Sequence, residues 1–216
     1  MTRNRKTVAF ALLGLSLGAI GLGGIAVAQN QNDLRRAAFQ MSKESAAAGE
    51  FADAVEALQP LGESGDALAQ YSLGILFMVG GKDLPQDGTK ALAWFTKAAD
   101  QGQAGAMRQL AIVYEKGAAG IAPDPAASMR WYDKAANRGD ALAQMTLGLK
   151  YAAGQGVPKD SVKAYTWLTL ADRGVFFDNE DTRKAETKKA KGTLVAQMSP
   201  TEVSSAEKQA LQFNAQ

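Results

Sequence analysis

Apolar and small residues recur along most of this chain at steps of three and four, the spacing that lines one face of a helix. Ala69, Leu73 and Phe77 form one such stripe. It returns as Ala106, Leu110 and Tyr114, and again as Ala143, Leu147 and Tyr151. A second stripe, Ala91, Trp94 and Ala98, returns as Ser128, Trp131 and Ala135, then as Ala164, Trp167 and Ala171. The pattern predicts two helices per unit and three units in tandem. Gly74, Ala111 and Gly148 share one position in the first helix. Glycine costs about 1 kcal/mol against alanine inside a helix, so a small residue there implies close approach of a neighbouring helix.

Three tryptophans set the period. Trp94, Trp131 and Trp167 lie 37 and 36 residues apart, within WFTKAADQG, WYDKAANRG and WLTLADRG. Self-similarity at this interval means one supersecondary unit copied so that each copy buries its apolar face against the next. Recurrence at helical spacing assigns the tryptophans to the core, as large knobs flanked by alanines. The turns agree. Asp87, Asp124 and Asp160 precede the second helices as N-caps, with Pro125 at a first helical position. Gly80, Gly117 and Gly154 follow the first helices, and Gly102, Gly139 and Gly174 follow the second, where left-handed C-caps favour glycine.

The flanks read as caps. Residues 33–48 and 51–64 form a degenerate helix pair without its tryptophan, and Pro60 is expected to bend or shorten the second member. After the repeats, Glu180 and Lys184 make an i,i+4 pair in a charged helix. Ser199, Pro200 and Glu202 then open a last helix through a capping box, and Val203, Ala206, Ala210 and Phe213 give it one apolar stripe.

These residues resemble the Sel-one-like repeat family, relatives of the tetratricopeptide repeats. The third copy, AQMTLGLKYAAGQGVPKDSVKAYTW over 143–167, matches closely and departs at Leu170, where a lysine is usual. The second copy has Ala111 for the small glycine and Ala127 for the lysine. The resemblance runs from about Ala67 to Gly174 and implies an all-α α-solenoid of tandem helix-turn-helix repeats with capping helices at both ends. Its expected divisions are a signal peptide over 1–28, the degenerate pair over 29–66, repeats over 67–103, 104–140 and 141–174, and C-terminal helices over 175–216. The family mediates protein–protein contacts of many kinds. Cysteine-rich members have been linked to β-lactam chemistry, but the disulfide framework they depend on cannot form here, because the chain has no cysteine.

Composition narrows the chemistry. With no histidine and no cysteine, the Ser-His-Asp and Cys-His nucleophilic sites and the usual zinc ligand sets are excluded. The recurring aspartates already serve as caps, so no catalytic, cofactor or metal residues are assigned. Arg3, Arg5 and Lys6 precede an uncharged stretch that ends Ala26-Val27-Ala28, the pattern of a secretory signal cleaved after Ala28. An uncleaved membrane anchor is the alternative. Removing those three cations takes the chain from 24 Lys+Arg against 22 Asp+Glu to 21 against 22. No electrostatic footprint for nucleic acid remains.

The expectation is therefore a non-enzymatic exported interaction module in the periplasm or outside the cell, holding a protein or peptide. An envelope-acting hydrolase and a membrane-tethered scaffold are the alternatives. The core stripe leaves Gln70, Arg108, Gln109, Gln144 and Lys150 as polar positions on the first helices, expected to face a partner-binding groove.

Overall fold

The computed structural model describes residues 24–117, 120–175 and 180–213. All regular elements there are helices. They are α1 Gly24–Ala48, α2 Phe51–Glu63, α3 Ala67–Val79, α4 Gly88–Asp100 and α5 Ala104–Lys116. There follow α6 Pro125–Asn137, α7 Ala141–Ala153, α8 Ser161–Arg173, α9 Glu180–Val195 and α10 Pro200–Gln212. The chain divides into two compact units, between Ala98 and Ala99. No described helix is long and apolar enough to cross a membrane. The proposed signal falls mostly outside the described residues, and Ala26–Ala28 lie in the first turns of α1.

Each second helix starts the same way. The carboxylates of Asp87, Asp124 and Asp160 accept from the backbone N–H groups of Lys90, Ala127 and Lys163, each at 2.9 Å. The same aspartates donate their own backbone N–H to the carbonyls of Phe77, Tyr114 and Tyr151, at 2.9, 2.7 and 3.0 Å. One residue thus closes the connection and satisfies orphan donors of the next helix. The first helices carry a parallel set that the sequence pattern did not reveal. Asp66, Gln103 and Asp140 accept from Ala69, Ala106 and Ala143 at 2.9, 2.6 and 2.8 Å.

In the first unit, α2 packs on α1 and α3. Helix α2 runs through Pro60 to Glu63 and matches the 13 residues of α3, so the proline does not shorten it. Proline removes one donor, but the chain continues helically for three more residues. The α3–α4 loop returns to this pair: the backbone N–H groups of Phe51 and Ala52 donate to Asp83 at 3.0 and 3.2 Å. Asp83 thereby caps α2 in place of Glu50, whose side chain makes no cap. Gly74 is the contact point of α3 with α4. A Cβ there would sit 2.5 Å from the Phe95 ring.

The second unit repeats this contact. A Cβ on Gly148 of α7 would lie 2.6 Å from Leu168 Cγ of α8. Helices α5 and α6 pair, α7 and α8 pair, α6 packs on α7, and both α9 and α10 pack on α8. Leu194 of α9 and Ala206 of α10 join Ala164, Leu168 and Ala171 in one apolar cluster. The capping box of Ser199 and Glu202 opens α10, with Pro200 in its first turn. Glu180 and Lys184 pair at 2.8 Å on α9.

Two expectations change. The first-helix stripes are buried or nearly so, but the tryptophans are only half-buried. The large residue that fills each second helix's core position is the one after, Phe95, Tyr132 or Leu168. Successive residues on a helix are about 100° apart, so when both are apolar only one can point fully inward. The other change is Gly174. Gly102 and Gly139 take positive φ, as do Gly80, Gly117 and Gly154. Gly174 has φ −74 and ψ 171, extended backbone open to any residue. Space dictates glycine there, since a Cβ would fall 2.7 Å from Ala141 Cβ.

This packing sets an order of mutational costs. Leu168→Ala is expected to lose about 2–5 kcal/mol, the range for large buried aliphatics. Trp131→Ala should lose less, and Lys188→Ala should stay within about 0.5 kcal/mol. Urea melts of the three variants check the order. Equal losses in Leu168→Ala and Trp131→Ala would return the tryptophan to the core.

Candidate functional site

Of the five polar positions expected to face a partner, four are engaged by groups within the fold. Gln70 and Gln144 are buried. Their amides donate backwards, Gln70 Nε2 to the Gly62 carbonyl at 2.9 Å and Gln144 Nε2 to the Ala136 carbonyl at 3.0 Å. Each ties a first helix to the end of the helix before it, where carbonyls lack intrahelical partners. Arg108 Nε pairs with Asp140 Oδ2 at 3.0 Å, and Arg35 Nε pairs with Asp66 Oδ2 at 2.6 Å in the same manner. Lys150 Nζ donates to Glu115 Oε1. Gln109, half-buried, is the remaining member of the set. Four of the five thus hold the repeats together.

Lys150 and Arg108 both lie near Tyr132, in a cluster that involves α5, α6 and α7. Glu115 on the last turn of α5 accepts from Lys150 and, at 2.9 Å, from Tyr132 Oη. Lys150 Nζ also lies 5.8 Å from the Tyr132 ring centre. Burial pushes the Glu115 carboxyl up. Hydrogen bonds from Lys150 and Tyr132, with the Lys150 charge, outweigh that and hold it below its ordinary value. Burial, then the bond to Glu115 and its charge, push the Tyr132 phenol well up. Glu115, Tyr132 and Asp140 are residues the sequence reading missed. Their partners lie 17 to 35 residues away, and only the packing of successive helices brings them together.

Two open clefts mark the second unit's surface. One, of about 580 Å³, runs between α7 and α9 over Met145, Leu149, Ala152, Ala190 and Leu194. The other, of about 480 Å³, lies between the end of α4 and α6. Ala99 and Met107 line it with Trp131, and Asp133, Asn137, Lys134 and Arg138 supply polar groups. Lys134 Nζ sits 4.1 Å from the Trp131 ring centre. In the first unit Lys97 sits over Trp94 at 4.3 Å. Burial raises the Asp133 carboxyl, against a hydrogen bond from Asn137 that lowers it. Trp167 has Leu170 where the others have lysine, and it meets Phe213 edge-on at 5.7 Å. Among the described residues no group of three or more His, Cys, Asp or Glu side chains could hold a metal ion.

Helices capped alike, paired through small residues and repeated at a fixed interval define an α-solenoid repeat protein of the Sel-like kind. The family model described as the Sel1 repeat matches residues 67–103, 104–140 and 141–171. A solved Sel1 repeat protein from Oxalobacter formigenes is 30% identical over 54% of this chain and 87% of that one, with a TM-score of 0.50. This chain belongs to the Sel1 repeat family. A protective antigen of uropathogenic Escherichia coli strains displaying an SLR fold is 19% identical over 81% of this chain and 55% of that one, with a TM-score of 0.34. No curated protein matches the sequence.

The geometry yields two expected outcomes. A carboxyl whose folded pKa is depressed contributes stability above its unfolded value, and that contribution is lost as pH falls through the folded value. The stability gap between wild type and Glu115→Gln should therefore be constant from neutral pH down to about the ordinary 4.5 and close below it. Denaturant melts of both proteins between pH 7 and pH 3 check this, and a gap that widens on acidification would contradict it. Gln144→Met should stay within about 1 kcal/mol of wild type, since one neutral hydrogen bond is at stake and the second repeat carries Met107 in the corresponding place. Gln144→Glu should be far worse, because it buries an unpaired charge. Thermal melts separate the two.

Proposed function

We propose that this protein is an exported, non-enzymatic module that binds another protein or a peptide through its repeat surface. Membership of the Sel1 repeat family supports the reading. The observation that carries it is the pair of open clefts on the second unit, each flanked by helices and lined by both apolar and polar side chains. Concave surfaces of this size suit a few side chains of a partner segment. The basic start and the Ala26-Val27-Ala28 end of the N-terminal stretch support export, with Gln29 as the first mature residue.

Affinity capture of the tagged chain from cross-linked cell-envelope extracts tests both parts. One stoichiometric protein partner, held by a chain whose mass begins at Gln29, is the expected result. Turnover of an envelope substrate by the purified chain, with no stoichiometric partner, would overturn the reading. Retention of residues 1–28 in a membrane fraction would replace the exported module by a tethered one.

A further inference from the structure

Helix α10 rests on α8 through little buried side-chain volume. Its buried residues are Ala206 and Ala210, both small. Where the first helix α7 puts Met145 and Leu147 into the core, α10 supplies methyl groups. The rest of the contact is directional. Phe213 meets the edge of Trp167 at 5.7 Å between ring centres. Thr166 Oγ1 donates to the Ala206 carbonyl at 3.3 Å, and Arg173 Nη1 donates to the Ala210 carbonyl at 3.2 Å. The Tyr165 phenol donates to the Glu207 carboxylate. Hydrophobic stabilisation scales with the apolar area covered, and segments with few buried apolar contacts open first.

The helix can leave without unwinding. Its first turn is closed by its own residues, through the Ser199–Glu202 capping box and Pro200. The connection from α9 is bonded locally. The backbone N–H groups of Ala196, Gln197 and Met198 donate to the carbonyls of Gly192, Leu194 and Val195. Val195, Ala196 and Gln197 are exposed. Gly192 lies inside α9, where a Cβ would meet nothing within 4 Å. No close approach requires glycine there, and glycine loosens the helix just ahead of the turn. The surface beneath α10 depends on it for cover. Trp94 and Trp131 lie under lysines of their own helices. Trp167 has the buried Leu170 at that place, and its ring is met by Phe213 instead.

We propose that α10 is a latch that swings away from α8 as one unit about residues 192–199, uncovering Trp167 and the outer face of α8 while α7 and α8 stay folded. This goes beyond the reading of the protein as an interaction module and does not depend on it.

The test is native-state hydrogen exchange of the full chain, followed residue by residue by NMR at rising, sub-denaturing urea. The amides of Val203–Gln212 should share one protection factor and one urea slope. They should be about tenfold or more less protected than the buried amides of α8. Phe213→Ala should speed their exchange by about fivefold or more and leave α8 unchanged, since an edge-on aromatic pair is lost. Gly192→Ala should slow it by stiffening the end of α9. Equal protection of α10 and α8 overturns the latch, as does Phe213→Ala speeding both alike, because the helices then open together. Protection that falls gradually from Val203 to Gln212 without urea dependence means fraying from the end and overturns it too. An unchanged rate in Gly192→Ala overturns the placement of the hinge. Capture of an envelope partner tests the module reading separately and is decided by none of these outcomes.

Discussion

The helix pairs depend on how closely two helices approach at one point. On α3 and α7 that point is a glycine, and the opposite side chain, Phe95 or Leu168, lies where a Cβ would be. Glycine inside a helix costs about 1 kcal/mol relative to alanine. Burying a large side chain against its backbone contributes about 1.5–3 kcal/mol, so the exchange favours the close pair. Alanine does the same work at Ala111, opposite a pair in which Tyr132 takes the core position. The remaining regularities follow from this approach. Two helices so close need a short, fixed connection. Asp87, Asp124 and Asp160 supply it by capping one helix while bonding back to an aromatic residue's carbonyl in the other.

The sequence makes the helices, their order and most of their ends legible, because those depend on spacing within about seven residues. Its silence begins where a side chain's meaning depends on a residue a whole repeat away. The tryptophans illustrate the limit. Their strict recurrence invites a core assignment, while the truly buried position varies among Phe95, Tyr132 and Leu168 and so shows no pattern. Trp94 and Trp131 instead lie under lysines three residues on, an amphipathic arrangement that suits a half-exposed ring. Recurrence reports a constraint, and the constraint need not be burial.

The glutamines mislead for a related reason. A polar residue next to a core alanine reads as surface. Gln70 and Gln144 are nevertheless inside, because the end of the preceding helix presents a carbonyl that a buried amide can satisfy. Arg108 and Lys150 read as groove cations until Asp140 and Glu115 come beside them, 32 and 35 residues distant in the chain. Hydrophobic period cannot supply that register. The recurring first-helix caps, Asp66, Gln103 and Asp140, were open to the same 37-residue comparison that found the tryptophans, but a glutamine among two aspartates hides the pattern.

The individuality of this protein therefore lies in the positions where its repeats disagree. Glu115 stands where the other copies have Met78 and Ala152, and Lys150 where they have Leu76 and Val113. Tyr132 replaces Phe95 and Leu168, and it alone can donate to a carboxylate. These three substitutions are mutually dependent. A carboxylate shielded from water costs stability unless donors reach it, and here both donors come from other helices. Any one of the three alone would leave a partly buried polar group unmatched. The cluster thus behaves as one feature, and its Tyr132 lies on α6, the helix that carries Trp131 and is C-capped by Arg138. A single second helix anchors the unit's polar seam on one side and offers its open cleft on the other. Because the cluster fixes how α6 is held between α5 and α7, it also fixes the placement of Trp131 and Arg138 at the cleft.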